Sequence, residues 1–131
     1  MASTDRSYFR VYEIRPERSN PDEILPAVVY YHGGAFVLTY SSSHVAHLQT
    51  YANNAHCSVF LVDYRLAPWQ VFPNGFEDCW SALLWVKEKA DWLHVDADRV
   101  VLMGDSAGGC LAAGVAQKAH DVGVTLRGQC L

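Results

Sequence analysis

Arg99-Val100-Val101-Leu102-Met103, then Gly104-Asp105-Ser106-Ala107-Gly108-Gly109, then an alanine-rich stretch carrying Leu111 and Val115, form the stretch on which the reading turns. A short apolar run reads as a strand, the glycines as a sharp turn, and the alanine-rich segment as a helix. Gly104 to Gly108 fits the pattern G-x-S-x-G, and a strand before it with a helix after it is the context this pattern requires. The serine is expected to take a strained backbone conformation that pushes its hydroxyl out above the sheet. Small residues two before and two after it avoid clashes in so tight a turn. The helix N-terminus beneath it favours developing negative charge.

Upstream, Tyr8 to Arg15 reads as a strand ended by Pro16, and Pro26 to Tyr31 as a second one stopping at Gly33-Gly34. Ser41-Ser42-Ser43 caps a predicted helix from His44 to Ala55. Ser58 to Val62 is apolar without alternation, as suits a strand covered on both faces of a parallel sheet. Asn74, three residues before Glu77, reads as the N-cap of a helix that runs to about Trp92. Leu126 to Leu131 reads as one more strand, expected beside the one that precedes Ser106. Strands alternating with helices predict an α/β domain around a mostly parallel sheet with helices on both faces.

A second chemical signal is His32-Gly33-Gly34-Ala35-Phe36, directly after a predicted strand. Glycines there let backbone N–H groups point into a site instead of into the sheet. Such donors can hold the oxyanion of a tetrahedral intermediate, and Ala107 beside the serine offers another. Phe36, Val37, Leu38 and Tyr40 could line an apolar acyl site or belong to the core.

Together with Asp63-Tyr64-Arg65-Leu66-Ala67-Pro68, Phe72-Pro73 and Ser43-His44, these blocks carry a family resemblance. From about Val28 to Leu131 the chain resembles the N-terminal part of an α/β-hydrolase of the hormone-sensitive lipase family, which includes bacterial acetyl esterases and arylacetamide deacetylase. The resemblance implies a serine esterase or lipase-like hydrolase acting on small acyl esters. It makes Ser106 the acylated nucleophile. It makes the backbone at Gly34, Ala35 and Ala107 the oxyanion hole, with Gly33 shaping that loop. His32 then structures the loop and is not the base, Asp105 fixes the turn, and Tyr64-Arg65 lies in a structural segment below the site. Two departures stand out: Ala35 replaces a third glycine, and Met103 stands where Ser or Ala is usual.

The resemblance also implies that residues 1–131 are one domain, the N-terminal half of a catalytic domain. The acid and base of such hydrolases follow the serine in the order Ser, Asp/Glu, His. Only His120 and Asp121 follow Ser106, and His120 is 14 residues on. That is ~21 Å along a helix, too far to reach the serine. The expectation is therefore a truncated, weakly active or inactive chain, or alternatively a non-catalytic α/β-hydrolase-like binding module. An unpaired edge at Leu126 to Leu131 would then favour self-association. His44 and His47 share a helical face, where they read as surface or loop-supporting residues. No metal site and no cofactor are expected, since no further ligand completes the spacing and no nucleotide-binding glycine pattern is present.

Composition bounds the rest. A chain of 131 residues is one domain's worth, and 50% hydrophobic with 18% charged residues is enough to build a core. A net charge of −4 offers no basic field for phosphate backbones, which argues against nucleic-acid binding. No apolar run approaches the ~20 residues of a membrane span. Met1 to Arg6 lacks an apolar signal region, so a cytoplasmic chain is expected. Cys57, Cys79, Cys110 and Cys130 are separated by 22, 31 and 20 residues, which excludes C-x-x-C chemistry and favours four buried thiols.

Overall fold

Ser58–Asp63 forms the strand that its uninterrupted apolar character predicts, and five of its six residues are buried. It is β3 of a chain described over residues 8–131 in a computed structural model. The reading of Met1 to Arg6 lies outside the described residues. Among these, β1 (Arg10–Ile14), β2 (Leu25–Tyr31), α1 (Ser42–Ala55), β3 (Ser58–Asp63), α2 (Asn74–Glu88), α3 (Ala90–Leu93), β4 (Val95–Gly104), α4 (Ala107–Asp121) and β5 (Gly128–Cys130) follow in that order. The sheet order is β1-β3-β2-β4-β5. β1 runs antiparallel to β3, and the other pairings are parallel.

Apolar residues leave both faces of this sheet. On one face Leu48 and Ala52 of α1 pack with Tyr30, Val59 and Leu61. On the other, Leu83 and Val86 of α2, Leu93 of α3, and Leu111, Ala112 and Val115 of α4 cover Val29, Tyr31, Phe60 and Leu102. The chain leaves β2 for the α1 face and leaves β4 for the α4 face. The ends of these two neighbouring strands therefore diverge, and the crevice between them is where open α/β sheets place their sites. β5 pairs with β4 through Val101, Leu102 and Met103, the place expected for the last predicted strand.

Three expectations are corrected. Asn74 is the first residue of α2 and not its cap, because the Pro73 carbonyl already accepts the first helical bond from Glu77 N–H at 2.9 Å. The predicted helix to Trp92 is two: Lys89, at φ −97° and ψ 16°, lies outside helical geometry and separates α2 from α3. Only Cys57 and Cys79 are buried; Cys110 and Cys130 are exposed, and all four are free thiols. Cys110 is the one residue between Ala107 and Ala112 that turns away from the sheet side of α4.

The connection from β3 to α2 is held by a residue that the sequence did not advertise. Asp78 is fully buried and accepts from Arg65 Nε at 2.8 Å, Arg65 Nη2 at 2.9 Å and the Arg65 backbone N–H at 2.9 Å. The planar guanidinium matches the carboxylate with two parallel bonds. Removing one partner of a buried pair leaves the other charge uncompensated. Asp78→Ala should therefore cost about 3–5 kcal/mol of folding free energy, read as a lowered midpoint in urea unfolding followed by circular dichroism.

Candidate active site

Ser106 stands at the junction of β4 and α4 with φ 51° and ψ −118°. This is a sparsely populated region for a residue with a Cβ. The serine is exposed, whereas Ala107, Gly108 and Gly109 behind it are buried. The turn closes through Gly108 N–H to the Asp105 carbonyl at 2.8 Å and Cys110 N–H to the Ser106 carbonyl at 3.2 Å. Gly108 lies directly against the backbone of Tyr31 and His32, and a Cβ there would collide with the Tyr31 carbonyl. That close approach lets the start of α4 sit on the end of β2.

The glycine loop leaves β2 one strand away, at the register partner of Gly104. Gly34, Ala35 and Phe36 have φ of 133°, 52° and 64°, three successive residues with positive φ. The Gly34 carbonyl accepts from Val37 N–H at 3.0 Å and Leu38 N–H at 2.9 Å, and the Phe36 carbonyl accepts from Ala67 N–H at 2.9 Å. The Gly34 carbonyl thus closes the loop on itself, and the Phe36 carbonyl ties it to the connection between β3 and α2. Left-handed conformations at Ala35, Phe36 and Ser106 cost about 1–3 kcal/mol each and persist because their surroundings over-determine them.

Asp105 ties the two turns together. Its Oδ1 accepts from the Gly33 N–H at 2.8 Å and from the Tyr30 hydroxyl, and its Oδ2 lies 3.7 Å from His44 Nε2. Burial would push this carboxyl up, but the Tyr30 hydroxyl, the Gly33 amide and His44 outweigh it and hold it below the usual carboxylate value. His44 Nδ1 accepts the Ser41 N–H at 3.0 Å, so the ring's proton sits on Nε2, facing Asp105. With His47, Tyr30, Tyr51 and Asp105, His44 lines a polar cleft of about 320 Å³. It is a loop-supporting residue, as its position suggested. Met103 lines the same cleft and packs against the α1-side core.

His32 is fully buried and stacked on Tyr64, with ring centroids 4.3 Å apart. Its Nδ1 lies 2.7 Å from the Gly33 carbonyl, which only accepts, so Nδ1 carries the proton and Nε2 keeps a lone pair. Burial lowers its pKa. The Tyr64 hydroxyl donates to the His32 carbonyl at 2.6 Å, which places Tyr64 beneath the loop. His120 lies near the far end of α4. Tyr40 packs against the core and 5.7 Å from Tyr12, whereas Phe36 lines an apolar cleft with Phe76 and Leu111. Val37 and Leu38 are exposed. Among the described residues no group of three or more metal-ligating side chains is set to hold an ion, and no helix is long and apolar enough to cross a membrane.

A family model described as alpha/beta hydrolase fold matches residues 28–131. The chain belongs to the α/β-hydrolase family. It is 48% identical over 99 residues to carboxylesterase NlhH of Mycobacterium tuberculosis, a match covering 76% of this chain and 31% of that protein. It is 38% identical over 112 residues to hormone-sensitive lipase of Mus musculus, covering 86% of this chain and 15% of the lipase. An esterase of Pyrobaculum calidifontis superposes with a TM-score of 0.85 at 43% identity, over 92% of this chain and 39% of that one. A fungal esterase of Rhizomucor miehei gives a TM-score of 0.93 at 31% identity, over 100% of this chain and 42% of that one. The chain thus spans less than half of each of these relatives. Tyr30 escaped the sequence reading; its only signal is a polar hydroxyl on a strand residue two before His32.

Two measurements check this site as a physical object. Ser106→Gly should relieve the positive φ and raise stability by about 1 kcal/mol, seen as a higher urea midpoint. The buried, neutral His32 takes up its proton at lower pH than it would in the unfolded chain. Between the ordinary histidine value near 6.5 and its own lower value, the unfolded state therefore binds more protons and stability falls as pH falls. Asp105, held below the ordinary carboxylate value, adds a second loss as pH drops through its folded value. The urea midpoint should decline below about pH 6.5, and His32→Gln should flatten the first decline.

Proposed function

We propose that this chain carries the nucleophile and the oxyanion hole of a carboxylic ester hydrolase acting on small acyl esters. The observation that carries the reading is the exposed Ser106 at φ 51°, held at the start of α4 beside the positive-φ run from Gly34 to Phe36. The names of the relatives, carboxylesterase and hormone-sensitive lipase among them, support the same class.

In this reading Ser106 Oγ attacks the ester carbonyl carbon. The carbonyl oxygen becomes an oxyanion held by the N–H groups of Gly34, Ala35 and Ala107, with Gly33 fixing the loop through Asp105. Collapse expels the alkoxide and leaves an acyl-serine, which water cleaves to release the acid and restore the hydroxyl. The serine proton passes to a base that returns it to the leaving oxygen. His32 engages Gly33 through Nδ1, His44 engages Ser41 and faces Asp105, and His120 lies ~21 Å along α4. The base and its orienting acid are therefore assigned outside these 131 residues, in keeping with relatives more than twice as long. The mechanism calls for no cofactor.

Hydrolysis of p-nitrophenyl acetate by the full chain tests this, beside Ser106→Ala. An oxyanion hole without its base sustains only about 10³–10⁴-fold catalysis over water. That residual rate belongs to the oxyanion hole and binding, so Ser106→Ala is expected to keep most of it, and the nucleophile is read instead as slow, stoichiometric labelling of Ser106 by an alkyl fluorophosphonate in mass spectrometry. A label elsewhere, or labelling that is as fast in Ser106→Ala, would overturn the nucleophile. Turnover near one per second, typical of a complete enzyme, would place the base within the chain.

A further inference from the structure

The chain has seven tyrosines, and the hydroxyls of four are engaged and hard to ionise. Tyr30 donates to Asp105, Tyr31 to the Cys79 carbonyl at 3.0 Å and Tyr64 to the His32 carbonyl at 2.6 Å. Burial raises the pKa of all three. Tyr40 is pushed up to about 12 by its hydrogen bond to Tyr12. Tyr8, Tyr12 and Tyr51 are left as phenols open to reagents.

Tyr12 stands apart from the other two in what converges on its oxygen. Side chains alternate along β1, so Arg10, Tyr12 and Ile14 share one face, and Tyr12 and Ile14 pack there against the α1-side core. Tyr40 meets Tyr12 edge-on, with ring centroids 5.7 Å apart. The Tyr12 oxygen accepts from the Tyr40 hydroxyl and from the Arg10 guanidinium. Asp63 is the register partner of Arg10 on β3 and accepts the Thr39 hydroxyl at 3.2 Å. The Tyr40 and Arg10 donors, in that order, outweigh burial and the Asp63 charge and hold the Tyr12 phenol below the ordinary tyrosine value. At any pH below that value, a larger share of Tyr12 is therefore phenolate, the nucleophilic form.

We propose that Tyr12 is a second acyl acceptor of this chain, a phenol that takes the acyl group of activated aryl esters. It acts apart from Ser106: β3 and β2 lie between β1 and β4, about 14 Å at the ladder spacing. Tyr12 releases its proton to solvent, and the phenolate oxygen attacks the ester carbonyl carbon. A carbon–oxygen bond to Tyr12 forms as the bond to the aryl oxygen breaks, and the aryl oxide leaves with the electron pair. The product is an O-acyl tyrosine that stays on the chain. Aryl esters with an electron-poor ring are the substrate class, since their oxide is a weaker base than the attacking phenolate. An alkyl ester would have to expel a far more basic alkoxide.

The test uses the full chain with Ser106→Ala, so that neither result bears on the serine. It is treated with p-nitrophenyl acetate at pH 8, and acetyl groups are located by peptide mass spectrometry. Hydroxylamine separates aryl esters, which it cleaves, from lysine amides, which it spares. Tyr8 is 80% exposed and Tyr51 43% exposed, so accessibility alone would place the first acetyl on Tyr8. The expected first site is Tyr12, acetylated at least about threefold faster than either. Arg10→Gln and Tyr40→Phe should each slow Tyr12 and move the rising limb of its pH–rate profile to higher pH, with Tyr8 unchanged. Circular dichroism of each variant confirms the fold. Acetylation of Tyr8 or Tyr51 ahead of Tyr12, or a Tyr12 profile that neither variant moves, overturns the proposal.

Discussion

The carboxylate of Asp105 is the one group that belongs to both turns of the site. Through Oδ1 it fixes the first amide of the glycine loop and the Tyr30 hydroxyl on β2, and it does so from the residue next to Ser106. Without it, the strained serine turn and the strained glycine loop would be coupled only through the β2–β4 ladder and the contact of Gly108 with the Tyr31 and His32 backbone. With it, the position of one specifies the other. Several neighbours then read as its supports. His44 faces it from α1, with the tautomer set by Ser41, and Tyr30 is held in place by β2. The polar cleft around them is a bracing layer behind the site, while the apolar cleft at Phe36 lies on the side toward Leu111.

Most of the fold was legible because its signals are local. Ser58 to Val62 has no polar face to show, so a strand covered on both sides is the plain reading. Ser106 between an apolar run and an alanine-rich helix announces its own strain, since only a turn flanked by Gly104 and Gly108 leaves room for it. The glycine loop after β2 and the serine turn after β4 could be placed after their strands for the same reason. What was not legible depends on partners distant in sequence. Asp78 looks like any acid in the first turns of a helix until Arg65, 13 residues earlier, folds back on it. Cys110 and Cys79 are alike as residues, and only the side of the helix that meets the sheet separates an exposed thiol from a buried one. Lys89 carries no helix-breaking chemistry, so the interruption between α2 and α3 has no mark in the sequence.

Part of the site's geometry is a matter of charge state as well as shape. His32 lies under the loop as a neutral ring, with its proton directed to the Gly33 carbonyl, its other nitrogen without a hydrogen-bond partner among the described residues, and the Tyr40 and His44 rings edge-on to it with centroids 6.0 and 6.3 Å away. A second proton would put a cation into that buried layer. Asp105 does the opposite, remaining charged where amide and hydroxyl donors converge on it. The loop thus sits on one group that stays neutral and one that stays ionised, each kept so by its own surroundings.

The two turns leave the sheet from register partners, Tyr31 on β2 and Gly104 on β4. Neighbouring strands are held ~4.8 Å apart by their ladder, so the distance between loop and serine is inherited from main-chain hydrogen bonds. β2 has a hydrogen-bonded neighbour on each side. Separating the two turns therefore means tearing a ladder in the middle of the sheet, an opening that approaches unfolding of the whole in cost. Amide exchange at the ends of β2 and β4 would report that stiffness directly, and the site would melt with the sheet instead of fraying like a surface loop.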